Sequence, residues 1–373
     1  MSAAWIAIVF AAGWVAYAYA GYPLVLLALR RISPWPVRRA DVFPAVSIVI
    51  AVHDGARELP GKLEESLALE YPGAREVIVA SDGSTDETEA IARSFADRGV
   101  VLVATAERRG KEAAQASAIE VAKGEVLVFT DVGAHLEPGA VRALVRPFAD
   151  PHVGAVSSED VIEVTGGEGA YVRYEMALRA LESEVATLIG LSGSCFAIRR
   201  ALGDPWPSDL ASDFRCALEV ARRGLRAVSE PEARVRFGVV RTPREEWARK
   251  VRTVRRGLAV LSAYRELLSA RHGRVSIALW SHKVARFTSP FALLALLAAS
   301  AWAAPASPGA AALLAAQIVA YAVGGLALVV RPIAALLPAR IASFFLLVNA
   351  SMLVAWVYHL TGRRAVLWQP TKR

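Results

Sequence analysis

The sequence predicts an α/β domain with a mainly parallel sheet flanked by helices, held between N- and C-terminal transmembrane helices. Three observations predict it. Short β-branched runs alternate with helix-patterned segments through residues 42 to 240. Long uncharged apolar stretches lie at both ends. Polar exceptions fall at the carboxyl ends of the expected strands.

The apolar ends come first. Residues 3 to 29, "AAWIAIVFAAGWVAYAYAGYPLVLLAL", carry no charge and exceed the roughly 20 residues that a spanning helix needs. The stretch has neither a basic leader nor a small-residue cleavage site, which disfavours a removable signal peptide. "RRISPWPVRR" follows, and its four arginines place the continuing chain in the cytoplasm by the positive-inside rule. Three further runs, 287 to 304, 309 to 330 and 341 to 360, are each about long enough to span. Arg331 and Arg340 suit a cytoplasmic loop. Strict alternation then sends Arg363, Arg364, Lys372 and Arg373 outside, against the charge rule. Either the last helix does not cross fully or the tail is an exception. The expected organisation is an N-terminal membrane helix (1–30), a cytoplasmic domain (42–240), amphipathic interfacial helices (241–284) and a membrane domain of about three helices (285–373).

Bulk composition agrees. The 373 residues are 55% hydrophobic, with a mean hydropathy of +0.37, too apolar for an ordinary soluble enzyme. A net charge of +8 suits an acidic partner. No RNA-reading motif or long basic tract appears, which leaves anionic lipid and a nucleoside diphosphate ahead of nucleic acid. Two cysteines, Cys195 and Cys216, lack metal-ligand spacing and fit a reducing compartment.

Within the central domain, "VSIVIAV" (46–52), "EVIVA" (76–80), "VVLVA" (100–104) and "EVLVFT" (125–130) read as strands. Leu59, Leu63 and Leu67, then "DETEAIARSFADRG" and "GKEAAQASAIEVAKG", have helical spacing. Ligands of such sheets bind at the carboxyl ends of strands, where Asp54, Asp82, Lys111 and Asp131 lie in turn. Each has a bland reading: Asp54-Gly55 and Asp82-Gly83 are turn dipeptides, "STDE" is a capping box, and Lys111 alone is a surface charge. Three acids and a lysine on one rim favour a nucleotide and metal site instead. The absence of G-x-G-x-x-G after the first strand, and of G-x-x-x-x-G-K-[ST], excludes the Rossmann and P-loop signatures.

The ordered segments "VSIVIAVHDGAREL", "YPGAREVIVASDGSTDET", "RRGKEAAQASAIEVAKGEVLVFTDVGAHLEPGAV", "GLSGSCFAIRRAL", "SDFRCALEVARRGLRAVSEPEARV" and "RKVRTVRRGL" resemble membrane-bound family 2 glycosyltransferases of the GT-A fold, bacterial envelope-polysaccharide type. The resemblance covers roughly residues 45 to 262. It implies that Asp54, Asp82 and Lys111 contact a nucleotide-sugar, with UDP-sugars favoured. Asp131 is implied to be the first acid of a D-x-D motif, holding Mg2+ or Mn2+ on the diphosphate. Gly133 stands where a second acid is common, so metal affinity without donor should be weak. Asp213 matches the catalytic base of a T-E-D motif; by position alone it is equally a first-turn helix acid.

Downstream, Trp247, Val251, Val254, Leu258 and Leu261 form one helical stripe among Arg249, Lys250, Arg252, Arg255 and Arg256. The stripe predicts a helix on the membrane surface, where snorkelling would also explain the cations. "RTVRR" falls where processive members carry Q-x-x-R-W. Arg255 matches the arginine, and Arg252 and Arg255 are implied donor contacts. Arg256 in place of tryptophan favours single transfer.

The resemblance implies an inverting, metal-dependent transferase of the bacterial inner membrane, with a lipid-linked or nascent glycan acceptor. The alternatives are a processive synthase, a polyprenyl-phosphate glycosyltransferase and a non-catalytic sugar-nucleotide-binding subunit.

Overall fold

Strand β1, Val46–Val52, is buried along its whole length, as expected of a strand covered on both faces. Its side chains divide between two cores. Ile48, Ile50 and Val52 pack with Leu59 and Leu63, whereas Val49 packs with Ala114 and Ala118. Fully burying one such side chain is worth about 1.5–3 kcal/mol. The computed structural model of the chain, in which this is seen, describes residues 2–161, 167–238 and 242–362.

The other strands are β2 (Arg75–Asp82), β3 (Val100–Thr105), β4 (Val126–Asp131), β5 (Ala134–Leu136), β6 (Val153–Val161), β7 (Cys195–Arg199) and β8 (Arg226–Phe237). They form one sheet in the order β3-β2-β1-β4-β7-β6-β8-β5. The half containing β1 to β4 is parallel. β7 runs antiparallel between β4 and β6, β8 is parallel to β6, and β5 is antiparallel to β8. The sheet is therefore mixed, with its parallel half where the sequence pattern is clearest. Helices Leu59–Leu67 and Ala140–Val145 cover one face, and Lys111–Val121 and Ser212–Arg222 the other.

Among the described residues four helices are long and apolar enough to cross a membrane: Ala3–Ile32, Arg274–Ala306, Pro308–Val329 and Leu337–Leu360. Phe10, Trp302 and Leu360 point outward from them, which is favourable in lipid and not in water. The first helix is fastened to the sheet domain beneath it. Arg30 pairs with Glu184 at 2.5 Å and Arg39 with Glu230 at 2.7 Å, so two of the four flanking arginines tether the domain.

Two expectations about the following segment change. Residues 274–284 are continuous with the second apolar helix, through a π-helical turn at Leu279–Val284, so that helix starts before the expected boundary at 285. Arg274, His282, Lys283 and Arg286 hide this start from hydropathy. The two arginines are met by groups from elsewhere, Arg286 pairing with Glu175 and Arg274 donating to the Val185 carbonyl and Ser33 Oγ, each at 2.6 Å. Second, the stripe of helix Pro243–Ala263 faces protein: Val254 and Leu258 pack on Val348, Met352 and Ala355 of the fourth helix. Burial against another apolar helix satisfies a stripe as well as lipid does. Thr242 caps this rim helix, its Oγ1 accepting from Glu245 N at 3.2 Å. The tail cations Arg363, Arg364, Lys372 and Arg373 lie outside the described residues.

Candidate active site

The parallel register aligns the strand ends: Ala51 of β1 lies opposite Asp131 of β4, and Val52 opposite Ser81, one residue before Asp82. Asp54, just beyond β1, has a left-handed φ of 47°, a conformation that aspartate tolerates better than most residues. Its Oδ1 accepts from Thr85 N at 2.7 Å. Asp82 is 1% exposed and accepts from Arg109 N at 2.7 Å and Gly110 N at 2.9 Å. Asp82 therefore anchors the loop that delivers Lys111, whereas the resemblance casts it as a contact to the base. That loop passes so close to Gly83 (φ 59°) that a Cβ there would lie 2.6 Å from Arg108 N, which only glycine accommodates.

Lys111 opens its helix and reaches across the sheet end. Its Nζ donates to Asp131 Oδ1 at 2.5 Å and to the Gly193 carbonyl at 3.3 Å. Burial works against the ammonium, but the Asp131 carboxylate outweighs it and raises the lysine pKa, so the lysine stays charged at neutral pH. Asp131 N donates to the Ser194 carbonyl at 3.1 Å, which fixes the 190–194 loop to the end of β4.

Asp213 stands in the first turn of Ser212–Arg222, with Oδ1 accepting from Phe214 N at 2.8 Å. Among the described residues no cation pairs with it. Its Oδ2 faces Gly193, where a Cβ would sit 3.2 Å away. Lys111, Asp131 and Asp213 line one cavity of about 370 Å3. The far wall comes from the second apolar helix, through His282, Lys283 and Arg286, and from Glu175 of helix Gly167–Val185. Glu175 would be raised by burial, but Arg286 and His282 hold its carboxyl well below the usual range.

The rim helix divides the basic cluster by its turn. Arg252 and Arg256 line the cavity, and Arg256 also donates to the buried Glu112, which accepts from Ser212 N at 3.3 Å. Arg255 points away, its guanidinium 5.2 Å from the Tyr358 ring centre. Arg252 and Arg256, four residues apart, share the face toward the cavity, Arg255 is held by Tyr358 instead, and the cavity receives the arginine that replaces tryptophan. Asp54 and Asp82 lie at the rim outside the cavity lining. Asp160, at the end of β6, lines it and accepts from Ser192 Oγ at 2.6 Å. The sequence reading missed Asp160, although a strand ending in an acid was the signal that singled out Asp131.

Comparison with known proteins decides what the sheet domain is. The family described as "Glycosyl transferase family 2" matches residues 47–204. These residues are a family 2 glycosyltransferase domain. A beta-monoglucosyldiacylglycerol synthase of Synechocystis sp. is 27% identical over 214 residues, 51% of this chain and 44% of that protein. The succinoglycan biosynthesis protein ExoO of Rhizobium meliloti is 30% identical over 127 residues, 34% of this chain and 36% of that protein. The matched stretches thus span less than half of these two relatives. A solved structure of a mannosyltransferase from Pyrobaculum calidifontis, in complex with GDP-Man and Mn2+, superposes with a TM-score of 0.74 at 26% identity, covering 96% of this chain and 100% of that one. The sheet domain has the GT-A-type fold, and the similarity extends through the apolar helices.

Whether the glycosyltransferase domain suits a divalent ion is decided by its donor set. Among the described residues no cluster of three metal-ligating side chains occurs. Asp131 Oδ1 is taken by Lys111, while its Oδ2 has no hydrogen-bond partner among the described residues and the side chain is 25% exposed. Gly133 supplies nothing, though a Cβ there meets no atom within 4 Å. One available carboxylate oxygen on the cavity wall fits a hard cation that takes its other ligands from water and a diphosphate. An ion held by Asp131 would neutralise charge on a departing diphosphate.

Proposed function

We propose that the protein is a membrane-embedded, metal-dependent inverting glycosyltransferase, transferring a sugar from a nucleotide-sugar to the hydroxyl of a membrane-associated acceptor. One observation carries this reading: Asp213, a carboxylate without an ion-pair partner among the described residues, shares a cavity with the Lys111–Asp131 pair on one side and the apolar helices on the other. Inverting transfer needs one base to take the acceptor proton as oxygen attacks the anomeric carbon, while cations meet the charge on the leaving group. Asp213 is the base. Lys111, Arg252 and Arg256 face the developing negative charge, and Asp131 holds Mg2+ or Mn2+. Asp54 and Asp82 shape the nucleotide end through the 85 and 108–110 loops. The mannosyltransferase of similar structure holds GDP-Man and Mn2+, so a GDP-sugar stands beside the UDP-sugars as donor.

The test is a screen of the purified full-length protein against UDP-, GDP- and dTDP-sugars, scored by release of nucleoside diphosphate with Mn2+ and with EDTA. Release from one donor class, abolished by EDTA, is expected. Absence of release and of donor binding with every class, in folded protein, would overturn the reading. Full activity in EDTA would remove only the metal.

We place the catalytic domain in the cytoplasm of a bacterial cell, at the inner membrane, where nucleotide-sugars are made. A reporter fused near residue 40 should read as cytoplasmic. A periplasmic signal there would reverse the orientation and separate the site from its donor.

A further inference from the structure

We infer that the membrane-side wall of the cavity is an anion subsite centred on Lys283, and that it takes the phosphate or diphosphate of a lipid-linked acceptor. This names the acceptor class for the reaction proposed above and rests on that reading.

Lys283 and Lys111 sit at opposite ends of a short sequence of contacts. Lys111 Nζ touches the Gly193 carbonyl, and Gly193 abuts the Asp213 carboxylate. Leu191 N donates to the Asp213 carbonyl at 3.1 Å. The next residue, Gly190, is so placed that a Cβ would lie 3.4 Å from Lys283 Nζ. Lys283 Nζ is also 5.1 Å from the ring centre of Phe214, the neighbour of Asp213. The lysine thus lines the same cavity as the base, against Gly190 and the ring of the residue that follows Asp213, and is carried by the second apolar helix.

The other cations in this part of the cavity have carboxylates. Lys111 pairs with Asp131, Arg256 with Glu112, Arg286 with Glu175, and Arg179 lies 3.7 Å from Asp160. The two glutamates that could serve Lys283 are already bridged by its neighbour: His282 Nδ1 lies 2.7 Å from Glu182 Oε1, and its Nε2 is 3.4 Å from Glu175 Oε2. No carboxylate of the described residues lies within ion-pair reach of Lys283 Nζ. An ionisable residue inside a membrane-spanning helix is costly to keep and ordinarily faces a partner or a functional cavity. Here it faces the cavity that holds the base. Lining the whole cavity are eight lysines or arginines against five acids, so the local field favours an anion, and an ammonium is a good point-charge ligand for phosphate. A neutral glycolipid would leave this charge unmatched. A phosphate beside Asp213 would instead hold the acceptor at its lipid end while its hydroxyl meets the base.

The test measures binding, so it does not depend on turnover. Full-length protein in phosphatidylcholine nanodiscs is titrated with a polyprenyl phosphate, with diacylglycerol, with inorganic pyrophosphate and, separately, with UDP and GDP in the presence of Mn2+. Wild type, Lys283→Gln and Lys283→Arg are compared, with melting temperatures measured alongside. The expected result is that Lys283→Gln weakens polyprenyl-phosphate binding at least tenfold, that Lys283→Arg largely restores it, and that nucleotide binding changes less than twofold. Pyrophosphate binding as tightly as the lipid, with the same sensitivity to Lys283→Gln, would support the anion site and assign it to a soluble phosphate. A loss confined to UDP or GDP binding would overturn the proposal by giving the lysine to the donor. So would diacylglycerol binding as tightly as polyprenyl phosphate with no effect of the substitution. Lipid binding that depends on Lys283, in a protein that binds no nucleotide, would sustain the subsite and sink the transferase reading.

Discussion

Asp213→Asn is expected to lower transfer to a hydroxyl acceptor by about 10² to 10⁴-fold, the usual worth of general-base catalysis, with donor binding nearly unchanged. The amide oxygen can still accept from Phe214 N, the bond that Asp213 Oδ1 makes now, so the helix start should survive. What disappears is the proton acceptor on the cavity wall. A first-turn helix acid without a chemical role gives another pattern: a loss of about 0.3–1 kcal/mol from the helix dipole and a turnover close to wild type. A phosphate nucleophile, ionised at neutral pH, gives a third, in which the rate falls only modestly. Transfer rate, donor affinity and melting temperature measured on this variant separate the three. A wild-type rate with a lowered melting temperature would refute the assignment of Asp213 as base.

Asp131→Asn should cut nucleoside-diphosphate release by at least about 10²-fold, the scale of losing a charge-stabilising group in an active site. It should also erase the difference between donor binding with and without Mn2+. The structure adds a complication, because Asp131 is the ion-pair partner of Lys111 at 2.5 Å. Removing one member of a largely buried pair costs on the order of 3–5 kcal/mol, so a dead variant could simply be an unstable one. The charge-balanced double variant Lys111→Met with Asp131→Asn distinguishes these. It should regain the melting temperature and remain without Mn2+-dependent donor binding. If the double variant, or Asp131→Asn alone, still binds donor more tightly with Mn2+, Asp131 is only the counter-ion of Lys111.

Much of the frame was legible before any coordinates. β1 and β4 are buried almost throughout, β2 over its last six residues, and β3 is a partly exposed edge strand; all four still appear as short β-branched runs, and the carboxyl ends of those runs name Asp54, Asp82, Lys111 and Asp131. β5 to β8 were less legible. β8 carries Pro231 and a charge at every second position from Glu230 to Arg236, unlike the charge-free apolar runs of the parallel half, and β5 is only three residues long. The second apolar helix lost its first turns to the same cause. His282, Lys283 and Arg286 interrupt the apolar run, and nothing local announces that Glu175 and Glu182, about a hundred residues earlier in the chain, will meet them.

By itself the sequence determined what short-range regularity encodes: the parallel half of the sheet, the four long apolar helices and the acids at the strand ends. Period, length and composition belong to contiguous residues and follow from side-chain direction and burial. Only the tertiary structure decided how those groups are used. It turned Asp82 toward the amides of residues 109 and 110, joined Lys111 to Asp131, and tied Arg256 to Glu112 across 144 residues. It also sent Arg255 to Tyr358 and brought Lys283 to Gly190. Each of these contacts joins residues distant in the chain, and its energy arises from the distance between charges and dipoles in space, a quantity that no local pattern records.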